Sequence, residues 1–398
     1  MKNKSVLISG AGIAGPVLGF WLSRYGLRPT IIERSKQLRT QGQMLDIRGS
    51  GLEVTKQMEL EEHVRSRTTK EEGTNFVDSN NSIIASFPVH LTQGRGFTSD
   101  IELIRGELVN TLYESTKNNV EYIFDDYISS IQDNDENVQI TFNSGIKRNF
   151  DVIVGADGQS SKVRRLTFGK EDSSFHPLGL YCCYFTVPYE PADGTYSRWF
   201  NAPKGRAIWL RPDGKQKSSR ALFMISCKPN GLEKLDVASQ KQEIQKIFQD
   251  AGWETTRLLK AMHESTDFYL QTVAQVKLPH YHSGRTVLIG DAAYCPSPFS
   301  GMGTSLAITG AYVLAGELAT KENHKDAFES YEKIIRPYVN KVQSVSVGCP
   351  QSSVGVWFFN KTIVLVNYAM RSGIFGWFSR LAPPVLDSSK DIKLPIYK

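Results

Sequence analysis

The sequence predicts an α/β fold: a domain of parallel strands and helices built from separated stretches of chain, interrupted by a strand-rich insertion and followed by a helical C-terminal segment. Three observations predict it. A strand, a glycine turn, a helix and a second strand occupy the first 33 residues; strand-turn-helix segments recur near positions 150 and 290; and the stretch between those two reads as strands. A chain of 398 residues has room for two or three domains, and its 40% hydrophobic and 22% charged residues are globular proportions.

Residues 5–9 form a short apolar run that leads straight into Gly10-Ala11-Gly12-Ile13-Ala14-Gly15, after which Val17, Leu18, Trp21 and Leu22 recur at helical spacing. Pro16 suits the first helical turn, where its missing N–H costs nothing. Residues 28–33 read as a second strand that ends in Glu33, eighteen residues beyond Gly15. This is the dinucleotide fingerprint in its full context. Gly10 permits the tight turn, Gly12 lets the backbone approach a pyrophosphate, and Gly15 lets helix and strand pack closely. The helix N-terminus then meets the phosphate charge. Ile13 and Ala14 complete the loop. Glu33 can accept ribose hydroxyls and would repel a 2′-phosphate, which disfavours NADP at this position, and Arg34 stands beside it. A glycine turn without any ligand is the competing structural reading.

The fingerprint alone does not separate FAD from NAD, but two later segments do. Residues 120–124, 127–132 and 138–142 look like short strands with a turn at Asn143-Ser144-Gly145. A buried-type strand over 150–155 follows, then Asp157-Gly158, Ser161 and Arg164. Such an excursion before the sheet resumes fits an FAD-type domain better than a plain NAD domain. Further on, residues 284–290 deliver Asp291 into a loop containing Pro298, Gly301 and Gly303, and a helix begins at Thr304. Asp291 is placed to accept ribityl or ribose hydroxyls. The N–H groups around 301–304 can face a flavin pyrimidine carbonyl and favour the anionic reduced ring.

With these residues the chain resembles the single-component FAD-dependent aromatic hydroxylases of the para-hydroxybenzoate hydroxylase fold. The resemblance implies a Rossmann-like FAD-binding domain of the glutathione-reductase type, an inserted β-sheet substrate domain and a C-terminal helical segment. Three ordered motifs match between positions 10 and 303: the glycine fingerprint with Glu33, Asp157-Gly158 with Arg164, and Gly290-Asp291 with Pro298 and its glycines. The family pattern also picks out Arg105, at the start of a helical stretch, as an arginine contacting the flavin cofactor, and Arg48 in the segment lining the flavin's mobile edge. Read from residues alone, Arg105 could instead pair with Glu107, and Arg48 could be a solvated loop charge. Within the family, segments 45–49, 251–255 and 290–298 are similar to those of tetracycline-inactivating monooxygenases. One departure is visible: Gly301-Met302-Gly303 has methionine where many relatives carry glutamine, which implies an apolar side chain beside the flavin.

The resemblance implies an FAD-dependent, NAD(P)H-consuming monooxygenase. Reduced FAD and dioxygen would give a C4a-hydroperoxide that hydroxylates a phenolic or enolic polycyclic substrate, with tetracycline inactivation the leading reading. A hydroxylase of another aromatic or polyketide metabolite, a reductase of the same fold, and a ligand-binding flavoprotein without turnover are the alternatives. No side chain is assigned a catalytic role, because the cofactor carries the hard chemistry. A second G-x-G-x-x-G in strand context is missing, so NADPH or NADH is expected to visit transiently. No H-x-x-x-H pair occurs, and His280-Tyr281-His282 is too sparse a signal for a metal.

The expected division assigns 1–72, 98–172 and 281–340 to the FAD-binding domain, 73–97 and 173–280 to the substrate domain, and 341–398 to a C-terminal helical bridge or lid. Within the substrate domain, 180–187, 197–200, 206–210, 220–227 and 268–276 read as strands and 238–251 as a helix. Tyr184, Phe185, Trp199, Trp209, Arg211 and Phe223 are its candidate pocket residues. Cys182 and Cys183, neighbours on a strand, are expected to point to opposite faces. Ile363, Val366, Met370, Ile374, Trp377 and Leu381 step by threes and fours along one helical face, which would dock on the core or cover the substrate entrance. A membrane-surface role for this face is the weakest of the three readings, because its polar side is poor in lysine. Five cysteines without Cys-x-x-Cys spacing, no leader-like segment and no spanning apolar run predict a cytoplasmic protein, expected to be a monomer. The formal net charge of +6 contains no run of four basic residues; it prompts no nucleic-acid partner and suits dianionic FAD and a nicotinamide phosphate.

Overall fold

The computed structural model describes residues 1–398 except 2, 40–41, 93–97, 135, 170–173, 345–347, 373–391 and 398. Val6, Leu7 and Ile8 have no exposed surface and lie on an inner strand of a six-stranded sheet. Strand Ser5–Ser9 pairs in parallel with Arg28–Glu33 on one side and Val152–Gly155 on the other. Glu121–Phe124 extends the first side and Thr286–Leu288 the second, while His282–Ser283 closes an edge antiparallel. Near-continuous apolar runs suit strands buried on both faces. The chain therefore moves outward on one side, returns to the other, and leaves a crevice at the carboxyl ends where strand order reverses. An antiparallel meander of Ile128–Asp133, Val138–Phe142 and Lys147–Phe150 forms before that return.

Helix Gly303–Thr320 is apolar almost all round and is buried along its length from Ser305 to Leu318. Small residues let neighbours approach it: a methyl group on Gly51 would stand 2.6 Å from Ser305 Cα. Helix His324–Val342 backs it, with Tyr331 bonded to the Tyr294 hydroxyl at 2.8 Å and donating to the Leu288 carbonyl at 3.2 Å.

The second large sheet has seven strands in the order Tyr269–Val276, Phe175–Pro188, Ser218–Ser226, Arg206–Pro212, Tyr196–Ala202, Gly73–Val77 and Ile83–Pro88. The two-residue period sorts its side chains. Tyr181, Cys183 and Phe185 join the core beneath helices Val237–Phe248 and Thr255–Glu264, whereas Leu180, Cys182 and Tyr184 take the other face. Cys182 and Cys183 thus separate as expected, and both are free thiols. One of the candidate pocket residues is corrected here. Phe223 packs under the helices with its ring 4.4 Å from Phe248 and does not reach the cavity; the Phe185 ring meets it edge-on at 5.2 Å but still borders the cavity.

Helix Ser353–Arg371 lays Phe359, Ile363, Val366 and Met370 against Phe76, Ala85 and Phe87. Its expected continuation through Ile374, Trp377 and Leu381 lies outside the described residues. The chain then returns to the first domain: Tyr397 donates to Glu317 Oε1 at 2.7 Å, and Tyr312 donates to the Pro395 carbonyl at 2.9 Å.

Candidate functional site

A cavity of about 1490 Å³ runs from the crevice of the first sheet to the uncovered face of the second. Gly10, Gly12, Ile13, Ala14, Glu33, Arg34, Arg48, Arg105, Asp157, Asp291, Pro298, Gly301, Gly303 and Thr304 all line it; Gly15 of the glycine fingerprint does not. The three fingerprint glycines differ in physical reason. Gly10 turns with φ +112° and has the Ala156 carbonyl 2.6 Å from where a Cβ would be. At Gly15 a Cβ would fall 2.0 Å from the Gly10 carbonyl. At Gly12 it would meet only Arg105 Nη2 at 3.5 Å. Protein packing thus demands the first and third glycines, while the second keeps a cradle open toward the cavity. Glu33 is held at its rim by the N–H groups of Ala11 and Ser35, each at 3.0 Å.

Besides the short helix Lys162–Phe168, capped by Ser161, four longer helices begin at this cavity: Ala14–Arg24, Gly49–Gln57, Arg105–Thr116 and Gly303–Thr320. None of the four has a side-chain cap at its N-terminus. Of the helices that start elsewhere, Val237–Phe248 and His324–Val342 are capped by Asp236 and Asn323, and Thr255–Glu264 has no side-chain cap. An uncapped N-terminus presents backbone N–H groups and partial positive charge, and four converging on one cavity favour an anionic, oxygen-rich ligand.

Arginines add to that field. Arg105 donates to the Arg39 carbonyl at 3.0 Å, and burial lowers its guanidinium from the ordinary value while Tyr269, Glu33 and Asp291 draw it back. Glu107 pairs with Arg67 and Lys215 rather than with Arg105. Arg48 is not a solvated loop charge: it pairs with Asp46 at 2.8 Å, and its N–H donates to Ser305 Oγ at 2.8 Å.

Asp291 exposes its surface to the cavity while protein surrounds it on every other side. Burial raises its carboxyl above the ordinary value, and the Cys295 thiol and Arg105 oppose the rise. Asp157 has a more local task. It accepts from Ser161 Oγ at 2.5 Å, Lys162 N at 2.7 Å and Val163 N at 3.2 Å, tying down the start of helix Lys162–Phe168. Arg164 then donates to the carbonyls of Ala292 at 2.9 Å and Gln159 at 2.7 Å, linking the second motif to the third. Met302 does not line the cavity as the sequence implied; its side chain packs against the main core.

The far part of the cavity is aromatic. Trp199 and Trp209, 5.1 Å apart, face Phe76, Phe87, Phe299 and Phe359, with Ile363, Val366 and Met370 from the last helix. Tyr184 and Tyr269 stack at 4.9 Å, and burial raises both phenols, so they remain neutral. Tyr269 donates to Gln43. Arg211 lies 4.2 Å over the Trp209 ring and is neutralised by buried Glu71 and Glu102. Sequence reading missed Gln43, Phe76, Phe87 and Tyr269. Alternation over 73–77 and 83–88 was the available signal for the two phenylalanines; Gln43 had none.

A family model described as FAD binding domain matches residues 3–346. The chain belongs to that family. It is 36% identical over 353 residues to a flavin-dependent monooxygenase of an unknown prokaryotic organism, covering 88% of this chain and 90% of that one. An FAD-dependent monooxygenase of Sarocladium schorii is 32% identical, covering 100% and 99%. Among solved structures, the tetracycline destructases Tet(51) and Tet(55) are each 30% identical over 100% of both chains, with TM-scores of 0.79 and 0.81. The HpxO of Klebsiella pneumoniae complexed with FAD and uric acid shares the fold at 15% identity and a TM-score of 0.72 over 95% of this chain and 92% of that one. This chain is a flavin-dependent monooxygenase with the fold of the FAD-dependent hydroxylases. The open cradle at Gly12 and the uncapped helix ends fit the cofactor that its family binds.

Proposed function

We propose that this flavin-dependent monooxygenase consumes NADPH or NADH and dioxygen to hydroxylate a phenolic or enolic polycyclic substrate, a tetracycline-type compound first among them. The observation that carries the reading is the aromatic chamber of Trp199, Trp209, Phe76, Phe87 and Phe359, continuous with the nucleotide crevice in one cavity. The full-length likeness to two tetracycline destructases supports it.

FAD, when bound, supplies the reaction with dioxygen. In this proposal the loop from Gly10 to Gly15 and the N-terminus of helix Ala14–Arg24 hold the pyrophosphate, with Arg105 adding charge. Glu33 and Arg34 bind the adenosine, and Asp291 binds the ribityl chain or ribose. Arg48, Pro298, Gly301, Gly303 and Thr304 border the reacting ring. Asp157 acts through the helix it caps. The last helix and the tryptophan pair exclude water and fix the substrate's plane.

The test is direct. Purified holoenzyme is mixed with NADPH or NADH, labelled dioxygen and a panel of tetracyclines, and products are weighed by mass spectrometry. Gain of one labelled oxygen atom with stimulated coenzyme oxidation is expected. If no tetracycline does either, that substrate assignment falls, and a panel of other phenols and polyketides decides the broader class.

A further inference from the structure

Helix Ser353–Arg371 has two apolar faces. One lines the cavity through Phe359, Ile363, Val366 and Met370. The other is exposed: Val354 is 64% exposed, Trp357 55%, Phe358 60%, Leu365 67% and Tyr368 68%. At 3.6 residues per turn these five fall within an arc of roughly 120°. Solvated helices normally turn polar side chains outward, so a continuous apolar stripe marks a surface with a partner.

Charge says which partner. Lys361 lies within the stripe and Arg371 near its end, and the helix contains no acidic residue. From residue 348 to the end of the helix the charged residues are Lys361 and Arg371, both cations. Aromatic residues, aliphatic residues and cations on one helical face are the chemistry of the membrane–water interface, where rings sit at headgroup level and cations meet anionic lipid. A self-association face would bring Lys361 against its own copy.

We infer that the outer face of helix Ser353–Arg371 docks the enzyme on an anionic lipid surface, with Trp357, Phe358 and Leu365 entering the interface and Lys361 contacting headgroups. No helix among the described residues is long and apolar enough to cross a membrane, so the contact is peripheral. Docking there sets the inner face of the same helix, and the chamber behind it, beside a bilayer into which apolar polycyclic molecules partition.

Flotation of the holoenzyme with vesicles of phosphatidylcholine, alone or with about 30% phosphatidylglycerol, tests the inference. Binding is expected to the anionic vesicles only and to weaken with salt. Lys361→Glu and Leu365→Asp should each lower the partition coefficient roughly tenfold. FAD content should stay unchanged, because neither side chain lines the cavity. Trp357→Ser replaces Leu365→Asp should that variant lose FAD. Absence of flotation, equal binding to neutral vesicles, or a concentration-dependent dimer in light scattering that these substitutions abolish would each overturn it.

Discussion

At Gly12 the protein keeps a space it does not itself fill, and at Gly15 it keeps none. Gly12→Val should therefore leave the fold intact and empty the site: purified protein should lose most of its yellow colour while its apo-form circular dichroism matches the parent's. Gly15→Ala meets a backbone carbonyl at 2.0 Å and should destabilise the chain itself, by about 1–3 kcal/mol in urea unfolding. Equal behaviour of the two variants would contradict these separate roles. Asp267 gives a pH signature. Burial alone would raise its carboxyl, but Ser265, Thr186 and Arg220 hold it below the ordinary value. A depressed folded pKa stabilises the protein above the unfolded value, roughly 3.9, and that contribution disappears as pH falls through the folded value. Asp267→Asn should melt earlier than the parent at neutral pH and converge with it in acid, as a series of thermal melts would show.

Among the elements, the helices that reach the cavity uncapped contrast with the short helix Lys162–Phe168, where Asp157 and Ser161 satisfy the first turn. Asp157→Ala should cost about 0.5–2 kcal/mol of stability by urea unfolding, and Asp157→Asn less, since an amide oxygen still caps. A variant of unaltered stability would show that the cap is dispensable. The last helix meets substrate rather than cofactor under the proposed function. Phe359→Ala should raise the substrate KM severalfold while FAD content stays at the parent level, and a fall in FAD content would place Phe359 elsewhere. Element identity was legible where periodicity was long. Residues 180–187 read as a strand and its two faces separated as alternation requires. Helix Thr255–Glu264 was not read, because the segment before it carries Gly252 and Trp253, both at positive φ, which resemble a loop in the linear pattern. Met302 was misplaced because its neighbouring glycines face the cavity while its own side chain turns back to the core.

For the whole molecule, FAD should act as a folding ligand. A ligand that binds only the folded state at a concentration a hundredfold above Kd stabilises it by about 2.7 kcal/mol. Removing FAD should lower Tm, and titrating it back should restore Tm with increasing concentration; a Tm independent of FAD would break the link between site and fold. By itself the sequence determined the chemistry-bearing turns. The spacing from Gly10 to Glu33, and the strands that deliver Asp157 and Asp291, are local patterns set by backbone sterics and burial period, and they pointed to one nucleotide crevice. Tertiary structure alone decided what shares that crevice with them. Gln43, Phe76, Phe87, Tyr269 and Phe359 come from segments distant in sequence, and only the closing of two sheets and a last helix around a common cavity brings them together. The outward stripe of helix Ser353–Arg371 was decided the same way. Hydrophobic periodicity shows that apolar residues share a face, but only the packed neighbours determine which face is left bare.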